Sequence, residues 1–293
     1  MNRRIVAMGD GLWDLFPDGA RFGGATANFA CHASRLGGEV SMVSGVGQDK
    51  RGQAALEVYR KNGVNVSLVQ SLEEYPTGMV TVKLTNTGMP TFTIGENAAW
   101  DNWSWNKAIE EKVRNANALY FGTLGQRGEK PREGIRRALA IGREKNSLRI
   151  LDINLRPPFF NDALIRESVS LCSVLKMSDE ELDPVCQACE IAPSDSIENT
   201  LDEIRENFGL ALVVMTKGAD GAVLVGPNLV INQPGVPATV VDTVGAGDSF
   251  TASLTLGLLE ACPLKEILRT ACEVAAGVCS HAGAVPDDYG TAH

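Results

Sequence analysis

The sequence lacks several features that mark other classes of protein. It has no apolar run of about 18 residues, the length that a membrane-spanning helix needs. Its 27 basic residues are outnumbered by 36 acidic ones, and a net charge of −9 argues against nucleic acid or an anionic membrane as a partner. No signal-peptide pattern follows Met1, so we expect a cytoplasmic protein.

The cysteine and glycine motifs of several other classes are missing too. The seven cysteines are an odd number, and Cys186 and Cys189 have no second C-x-x-C, so neither a disulfide framework nor a zinc site is predicted. The absence of G-x-x-x-x-G-K-[ST] excludes a P-loop kinase. Two segments, Gly45–Lys50 and Gly245–Phe250, begin like a dinucleotide-binding turn but lack its final glycine. A nicotinamide-dependent oxidoreductase is therefore the weaker enzymatic alternative.

A regular alternation of strand-like and helix-like segments is present. Apolar runs such as Arg4–Met8, Val40–Val43 and Ala118–Phe121 alternate with amphipathic stretches such as Gly52–Asn62. This rhythm predicts an α/β fold whose mostly parallel central sheet carries helices on both faces. We expect residues 1–293 to form a single domain, although this length also allows two ordinary domains.

One segment interrupts the rhythm. Gly78–Thr85 and Pro90–Ile94 alternate apolar and polar residues around a turn at 86–89, which predicts a β-hairpin. A hairpin inserted between βα units does not easily join a parallel sheet. We therefore predict a small β lid over the strand ends, formed mainly by 76–104 with a contribution from 11–23.

A phosphate-binding arrangement is predicted near the end of the sequence. A predicted strand, Thr239–Asp242, leads through the glycine-rich turn 245–247 into an apolar helix. Glycines let a phosphate approach the free N–H groups of a helix N-terminus. Asp248 follows at once, and its charge would repel a phosphate. It is better suited to accept the proton of a hydroxyl that attacks a γ-phosphate, with a helix cap as the alternative role.

Asp242–Phe250 and Gly23–Ala30 are two motifs that resemble signatures of the PfkB carbohydrate kinase family, the ribokinase-like kinases. They stand in the order expected for the family, and the resemblance covers nearly the whole chain. It is closest to fructokinase-like members. The resemblance implies a ribokinase-like fold, ATP as the phosphoryl donor, Mg²⁺ as the metal ion and a sugar hydroxyl as the acceptor.

The resemblance also implies roles for individual residues. An anion hole is implied at Gly245, Ala246 and Gly247, next to Asp248 as the catalytic base. Contacts to sugar hydroxyls are implied at Asp14, Gly24 and Asn28. Carboxylate and carboxamide groups can accept from and donate to a polyol, whereas a helix cap is the alternative role of the amide.

Two further segments match family motifs. The stretch Asp152–Arg156 implies that Arg156 lies near the transferred phosphoryl group, where a guanidinium would offset negative charge. A surface ion pair is the alternative. In Lys176–Glu181, the resemblance implies that Glu181 organises magnesium through water, although Ser178 replaces the family's Asn. The alternative is an ordinary acidic residue in the first turn of a helix.

The remaining candidates concern the nucleotide, a cation and the sugar. The resemblance implies a nucleotide-side turn at Lys217, Gly218 and Gly221. Asp242 matches a residue that helps to bind a monovalent cation such as K⁺ in the family. Asn97 and Gln126 are further candidates for sugar contacts, because they follow the predicted lid hairpin and a predicted strand.

Together these observations predict an ATP-dependent sugar kinase, with fructose as the first substrate to test. Ribose, 2-keto-3-deoxygluconate and nucleosides stay open, because no motif fixes the lid side chains that select the sugar. A sugar-binding regulatory protein on the same fold is the non-enzymatic alternative. The expected partners are the sugar and ATP, and a homodimer is compatible with the sequence.

Overall fold

A computed structural model of the chain describes residues 3–16, 19–84 and 90–287. The strands in these ranges are β1 (Arg4–Met8), β2 (Leu12–Phe16), β3 (Gly19–Gly23), β4 (Glu39–Gly47), β5 (Asn65–Leu72), β6 (Gly78–Leu84), β7 (Pro90–Ile94), β8 (Ala118–Gly122), β9 (Leu148–Asp152), β10 (Val174–Ser178), β11 (Leu212–Thr216), β12 (Ala222–Gly226) and β13 (Leu229–Gln233). The α-helices are α1 (Ala25–Arg35), α2 (Lys50–Lys61), α3 (Lys107–Arg114), α4 (Glu129–Glu144), α5 (Asp162–Leu171), α6 (Leu182–Cys189), α7 (Ile197–Phe208), α8 (Ala246–Leu259) and α9 (Leu264–Cys279). None of these helices combines the length and the apolar surface that a membrane span requires.

Nine of the described strands form the central sheet, in the order β13-β12-β11-β10-β9-β8-β1-β4-β5. Neighbouring strands from β11 to β5 run parallel, which confirms the predicted α/β fold with a mostly parallel sheet. The antiparallel edge formed by β12 and β13 was not predicted. Only Pro227 and Asn228 connect these two strands, and so short a connection permits antiparallel pairing alone.

Helices cover both faces of the central sheet. Along β1, Val6 and Met8 belong to one apolar cluster, whereas Ile5 and Ala7 belong to the other, as expected for side chains that alternate across a strand. The first cluster includes residues of α3 to α7, and the second includes residues of α1, α2, α8 and α9. The helices that begin at the two predicted family motifs, α1 and α8, therefore pack on the same face.

The helices α1 and α8 begin without a side-chain cap, unlike α2, α3, α5 and α7. At α2, for example, the Asp49 carboxylate accepts a hydrogen bond of 2.8 Å from the Gly52 nitrogen. At α1 and α8 the cap positions are glycines, Gly24 with a φ of 101° and Gly245 with a φ of 83°, and neither can supply such a bond. Ala27 and Ala246 donate their N–H groups to the carbonyl oxygens of Asp10 and Thr243, and the remaining N–H groups of these first turns can serve a ligand.

A second sheet of four strands has the order β3-β2-β6-β7. β2 pairs antiparallel with β3 and parallel with β6, and β6 pairs antiparallel with β7. The first two strands lie within 11–23 and the other two within 76–104. The turn predicted at 86–89 lies outside the described residues. Because β2 follows β1 after only residues 9–11, the second sheet stands at the carboxyl end of the central strands.

The prediction of a strand at Thr239–Asp242 is wrong. This segment is a loop in which Val240 and Val241 are exposed by 64% and 60%. The Val241 nitrogen donates to the carbonyl oxygen of Cys279, at the end of α9, over 2.8 Å. Its β-branched residues suit a strand, but its backbone pairs with a helix end in place of a neighbouring strand.

Candidate active site

A cavity of about 580 Å³ lies between the carboxyl ends of the central strands, the second sheet and the N-terminus of α8. Eight predicted site residues line it: Asp14, Gly24, Asn28, Arg156, Asp242, Gly245, Gly247 and Asp248. Side chains of the second sheet complete the wall: Phe16, Arg21, Phe22, Val80 and Ile94. Ligands of α/β proteins bind at this edge of the sheet. The structure therefore gathers the sugar-side and the phosphate-side candidates in one cavity.

The phosphate side of the cavity is the first turn of α8. Gly245 is the N-cap, and a side chain there would collide with the Ala284 carbonyl, so its left-handed backbone and its lack of a Cβ are both required. Ala246 is the first residue of the helix. A Cβ on Gly247 would lie 3.2 Å from Nζ of Lys176. The two glycines thus keep the space in front of the helix N-terminus open.

Asp248 is held by a residue from the other end of the chain. The Asn28 amide nitrogen donates to Oδ2 of Asp248 over 2.8 Å. Asn28 lies inside the first turn of α1, so it is not the helix cap of the alternative interpretation. Its Oδ1 is buried, lies beside the cavity and has no hydrogen-bond partner among the described residues. Asn28 therefore orients the carboxylate and keeps an acceptor for a ligand hydroxyl.

The electrostatic surroundings of Asp248 favour a proton acceptor that works near neutral pH. Burial, together with the negative charge of Asp152, raises the pKa of Asp248 to about 7. The hydrogen bond from Asn28 and the charge of Lys176 act in the opposite direction. A general base is most effective when its pKa lies near the working pH.

A second carboxylate, Asp14 on β2, lies on the sugar side. Burial and the charge of Asp10 raise the pKa of Asp14 to about 6, and Arg156 opposes that shift. Two neighbouring glycines leave room for these carboxylates. A Cβ on Gly23 would lie 2.7 Å from Oδ2 of Asp14, and one on Gly24 would lie 2.8 Å from Oδ2 of Asp10.

Arg156 and Glu181 follow β9 and β10; Arg156 lines the cavity, whereas Glu181 does not. The Arg156 guanidinium donates to the Leu155 carbonyl oxygen over 3.0 Å, and no ion pair to Arg156 is found among the described residues. The Glu181 carboxylate accepts from the backbone nitrogens of Leu155 at 2.7 Å and Ser178 at 2.8 Å. Glu181 thereby links the segments that follow β9 and β10. The Arg156 guanidinium is available to bind an anion in the cavity.

The Asp242 side chain is held in place by two backbone N–H groups. The Asp242 carboxylate accepts from the Val244 nitrogen at 3.1 Å and from the Gly283 nitrogen at 3.0 Å.

The turn after β11 contains three of the predicted residues: Lys217, Gly218 and Gly221. Both glycines have positive φ values, 53° and 95°, that favour glycine. This turn lies at the carboxyl edge of the sheet but does not line the cavity.

Two of the sugar-contact candidates do not reach the cavity. The Gln126 side chain is buried, and its amide donates to the Gly122 carbonyl oxygen at 3.0 Å and to the Ser168 hydroxyl at 2.9 Å. Asn97 is exposed and accepts a hydrogen bond from Asn102 over 3.3 Å. The Gln126 amide thus bonds to β8 and α5, Asn97 bonds to a neighbouring loop residue, and neither side chain lines the cavity.

Sequence reasoning missed a buried charged pair in the floor of the cavity. Lys176 in β10 and Asp152 at the end of β9 are 6% and 1% exposed, and Nζ and Oδ1 lie 3.2 Å apart. Both line the cavity. The signal was present in the sequence, because a lysine in the middle of the apolar strand Val174–Ser178 is rarely buried unless it is paired.

Comparison with known proteins agrees with this geometry. The family model described as pfkB family carbohydrate kinase matches residues 19–288. The chain belongs to this family of carbohydrate kinases. The match includes α1 and α8, the helices whose glycine caps have positive φ values, and the predicted ribokinase-like fold is confirmed.

Individual relatives of this pfkB-family chain share about a quarter of its residues. Aminoimidazole riboside kinase of Salmonella typhimurium is 27% identical over 268 residues, which cover 88% of this chain and 82% of the relative. A fructokinase of Escherichia coli is 27% identical over 270 residues, 88% of this chain and 85% of the relative. The crystal structure of a Pyrococcus horikoshii sugar kinase in complex with ATP is 27% identical and has a TM-score of 0.79, covering 96% of this chain and 94% of that one.

Few side chains in the described part of this pfkB-family chain are placed to bind a magnesium ion. No cluster of three or more His, Cys, Asp or Glu side chains in residues 3–16, 19–84 and 90–287 is arranged to hold a metal ion. Magnesium at phosphoryl-transfer sites takes one or two carboxylates and keeps waters and phosphate oxygens as its other ligands. Glu181 suits such an ion, because each oxygen that accepts a backbone N–H retains a second lone pair.

The raised carboxylate pKa values predict an acid limb in the pH profile of this pfkB-family kinase. If Asp248 accepts the hydroxyl proton, its protonation removes the active form, so kcat/KM should fall about tenfold per pH unit below about 7, and more steeply below about 6, where Asp14 also takes up a proton. Initial rates at limiting substrate and saturating Mg²⁺, from pH 5 to 9, test this expectation. A flat profile down to pH 5 would contradict it.

Proposed function

We propose that this chain transfers the γ-phosphoryl group of ATP to a hydroxyl of a small sugar, with Mg²⁺ bound alongside the nucleotide. The observation that carries the proposal is the position of Asp248. Its carboxylate has a pKa raised to about 7 and lies in the first turn of α8, where backbone N–H groups receive an anion. A carboxylate in that position hinders phosphate binding but helps to deprotonate an attacking hydroxyl.

The proposed reaction is a single displacement at phosphorus. Asp248 accepts the proton of the sugar hydroxyl as the hydroxyl oxygen bonds to the γ-phosphorus. The bond between that phosphorus and the bridging oxygen breaks, and ADP leaves with the electron pair. Asn28 holds one carboxylate oxygen of Asp248, which leaves the other oxygen to take the proton.

Charge stabilisation is the second part of the proposal. The backbone N–H groups of the turn 245–247 and the guanidinium of Arg156 stabilise the negative charge on the transferred group. When bound, the magnesium ion neutralises phosphate charge, and Glu181 holds one of its waters. Lys217, Gly218 and Gly221 are proposed to support the nucleotide from the turn after β11.

The sugar is proposed to bind between the two sheets. Asp14 and Asn28 supply acceptors to its hydroxyls, and the glycines at 23–24 let it approach the backbone. Fructose is the first candidate, since several relatives at about 27% identity are fructokinases. A riboside is the second, since another relative at 27% identity is aminoimidazole riboside kinase.

The second sheet, with β2, β3, β6 and β7, is proposed to act as a lid. Its residues Phe16, Val80 and Ile94 present apolar side chains to the cavity beside the sugar-side carboxylates. Closure over the sugar would exclude water from the phosphoryl group. A cytoplasmic location, a homodimer and a monovalent-cation site at Asp242 stay predictions.

ADP release is expected to depend on the sugar. Because the lid excludes water, the wild-type chain should hydrolyse ATP slowly alone and release ADP rapidly with one of fructose, ribose, a riboside or 2-keto-3-deoxygluconate. A coupled ADP assay over this panel tests the expectation. Equal ADP release with and without sugar would count against the lid. Sugar binding without any turnover would favour the regulatory alternative.

A further inference from the structure

A buried lysine lies next to the proposed anion hole. Lys176 is in the middle of β10, is 6% exposed and lines the cavity. Burying an ammonium group costs free energy unless it is paired and hydrogen-bonded. Its position therefore requires either a structural partner or a functional one.

The structural partner occupies only part of the ammonium's bonding capacity. Lys176 Nζ lies 3.2 Å from Oδ1 of Asp152, and Oδ2 of Asp152 accepts a hydrogen bond of 2.9 Å from the Thr251 hydroxyl. Thr251 lies one turn after Asp248 in α8. The contacts among Lys176, Asp152 and Thr251 therefore connect β9 and β10 to the proposed catalytic helix. An ammonium has three N–H donors, and the Asp152 contact uses one of them.

The ammonium lies over the first turn of α8. A Cβ on Gly247 would lie 3.2 Å from Nζ, which is closer than ordinary van der Waals contact. The absence of a side chain at Gly247 therefore leaves the lysine next to the backbone that is proposed to receive the phosphoryl group. A cation at this point adds to the positive end of the helix dipole.

The charges around Lys176 keep its ammonium group cationic. Burial lowers the pKa of Lys176, but the carboxylates of Asp152, Glu181 and Asp248 raise it by more, so the net shift is upward. These carboxylates would repel a phosphoryl group, and a cation directly in front of the helix would offset that repulsion.

We propose that Lys176 is a further catalytic residue, whose ammonium contacts the transferred phosphoryl group at the N-terminus of α8 while Asp152 and Thr251 hold it in place. The inference rests on the proposed kinase function. Lys176 loses no proton in the reaction, because Asp248 takes the hydroxyl proton. Its contribution is to stabilise the negative charge on the group in transfer.

The competing role is purely structural, with Lys176 only neutralising the buried Asp152. Two variants of the full chain separate these roles: Lys176→Met, and Lys176→Met combined with Asp152→Asn. The single change leaves a buried carboxylate unpaired and lowers the melting temperature. The double change removes both buried charges, retains an acceptor for the Thr251 hydroxyl and preserves the fold. Lys145→Met is the matched control, because Lys145 is exposed and lies between α4 and the amino end of β9, away from the cavity.

The test is kcat at saturating MgATP and the best sugar of the panel, with thermal melting measured in parallel. Both Lys176 variants should lose at least about tenfold in kcat, the scale of a lost electrostatic stabiliser, while the control keeps the wild-type rate. Recovery of kcat to within about twofold of wild type in the double variant would overturn the proposal in favour of the structural role. A wild-type chain that releases no ADP with any sugar overturns the proposed function, and this inference with it.

Discussion

Asp248→Asn should lower kcat by about 10² to 10⁴, the range for loss of a positioned general base. The amide keeps the shape of the carboxylate and can still accept the hydrogen bond from Asn28, so the fold should be retained. It cannot take the hydroxyl proton. The dissociation constant for MgATP should stay unchanged or improve, because a negative charge beside the phosphate site is removed.

The matched control for this change is Asp162→Asn. Asp162 is also an acidic residue in the first turn of a helix, α5, but it is exposed. If Asp248 served only the helix terminus, both variants would keep the wild-type kcat and show similar small losses of stability. Single-turnover phosphorylation by Asp248→Asn within a few-fold of the wild-type rate would therefore contradict its role as the base.

Arg156→Ala should lower kcat by roughly 10- to 1,000-fold, the scale expected for an electrostatic stabiliser of the transition state. The side chain lines the cavity and its charge reaches Asp14, whose pKa it lowers against the effect of burial. Arg156→Lys should recover only part of the rate, since an ammonium cannot form the paired hydrogen bonds of a guanidinium. Steady-state kinetics at saturating MgATP and sugar measure both.

Arg114→Ala is the control for a general loss of surface charge. Arg114 is 45% exposed on α3 and pairs with Glu110 one helical turn away. Its removal should leave kcat unchanged, because an exposed ion pair contributes little to stability and does not act on a distant cavity. A near wild-type kcat in Arg156→Ala would show that Arg156 does not stabilise the transferred group and would favour the alternative role in a surface ion pair.

Short-range patterns were enough to predict the fold and the start of α8. The parallel strands follow from apolar runs of strand length separated by amphipathic segments, and both features are local. The glycine-rich turn 245–247 and Asp248 are likewise adjacent in sequence, so their placement at a helix N-terminus could be predicted. Thr239–Asp242 was mispredicted because a β-branched run suits a strand, whereas a strand also needs a neighbour to pair with.

The side-chain network behind the site could not be predicted from local patterns. Asn28 and Asp248 are 220 positions apart, and Asp152 and Thr251 are 99 apart. Which polar groups meet across such distances depends on how the helices pack on the sheet. Gln126 shows the same limit, since its amide turns to Ser168, 42 positions away, and leaves the cavity to its neighbours.

The transfer of labelled γ-phosphoryl from ATP to the sugar is the decisive measurement for a kinase that uses Asp248 as its base. A single-turnover experiment with excess enzyme would follow label in fructose, or in the sugar that the panel selects, for the wild type and for Asp248→Asn. We expect label to move from ATP to a sugar hydroxyl in the wild type, and we expect the variant to bind both substrates but to transfer the label about 10² to 10⁴ times more slowly. Equal transfer by both proteins, or label released only as inorganic phosphate, would contradict it.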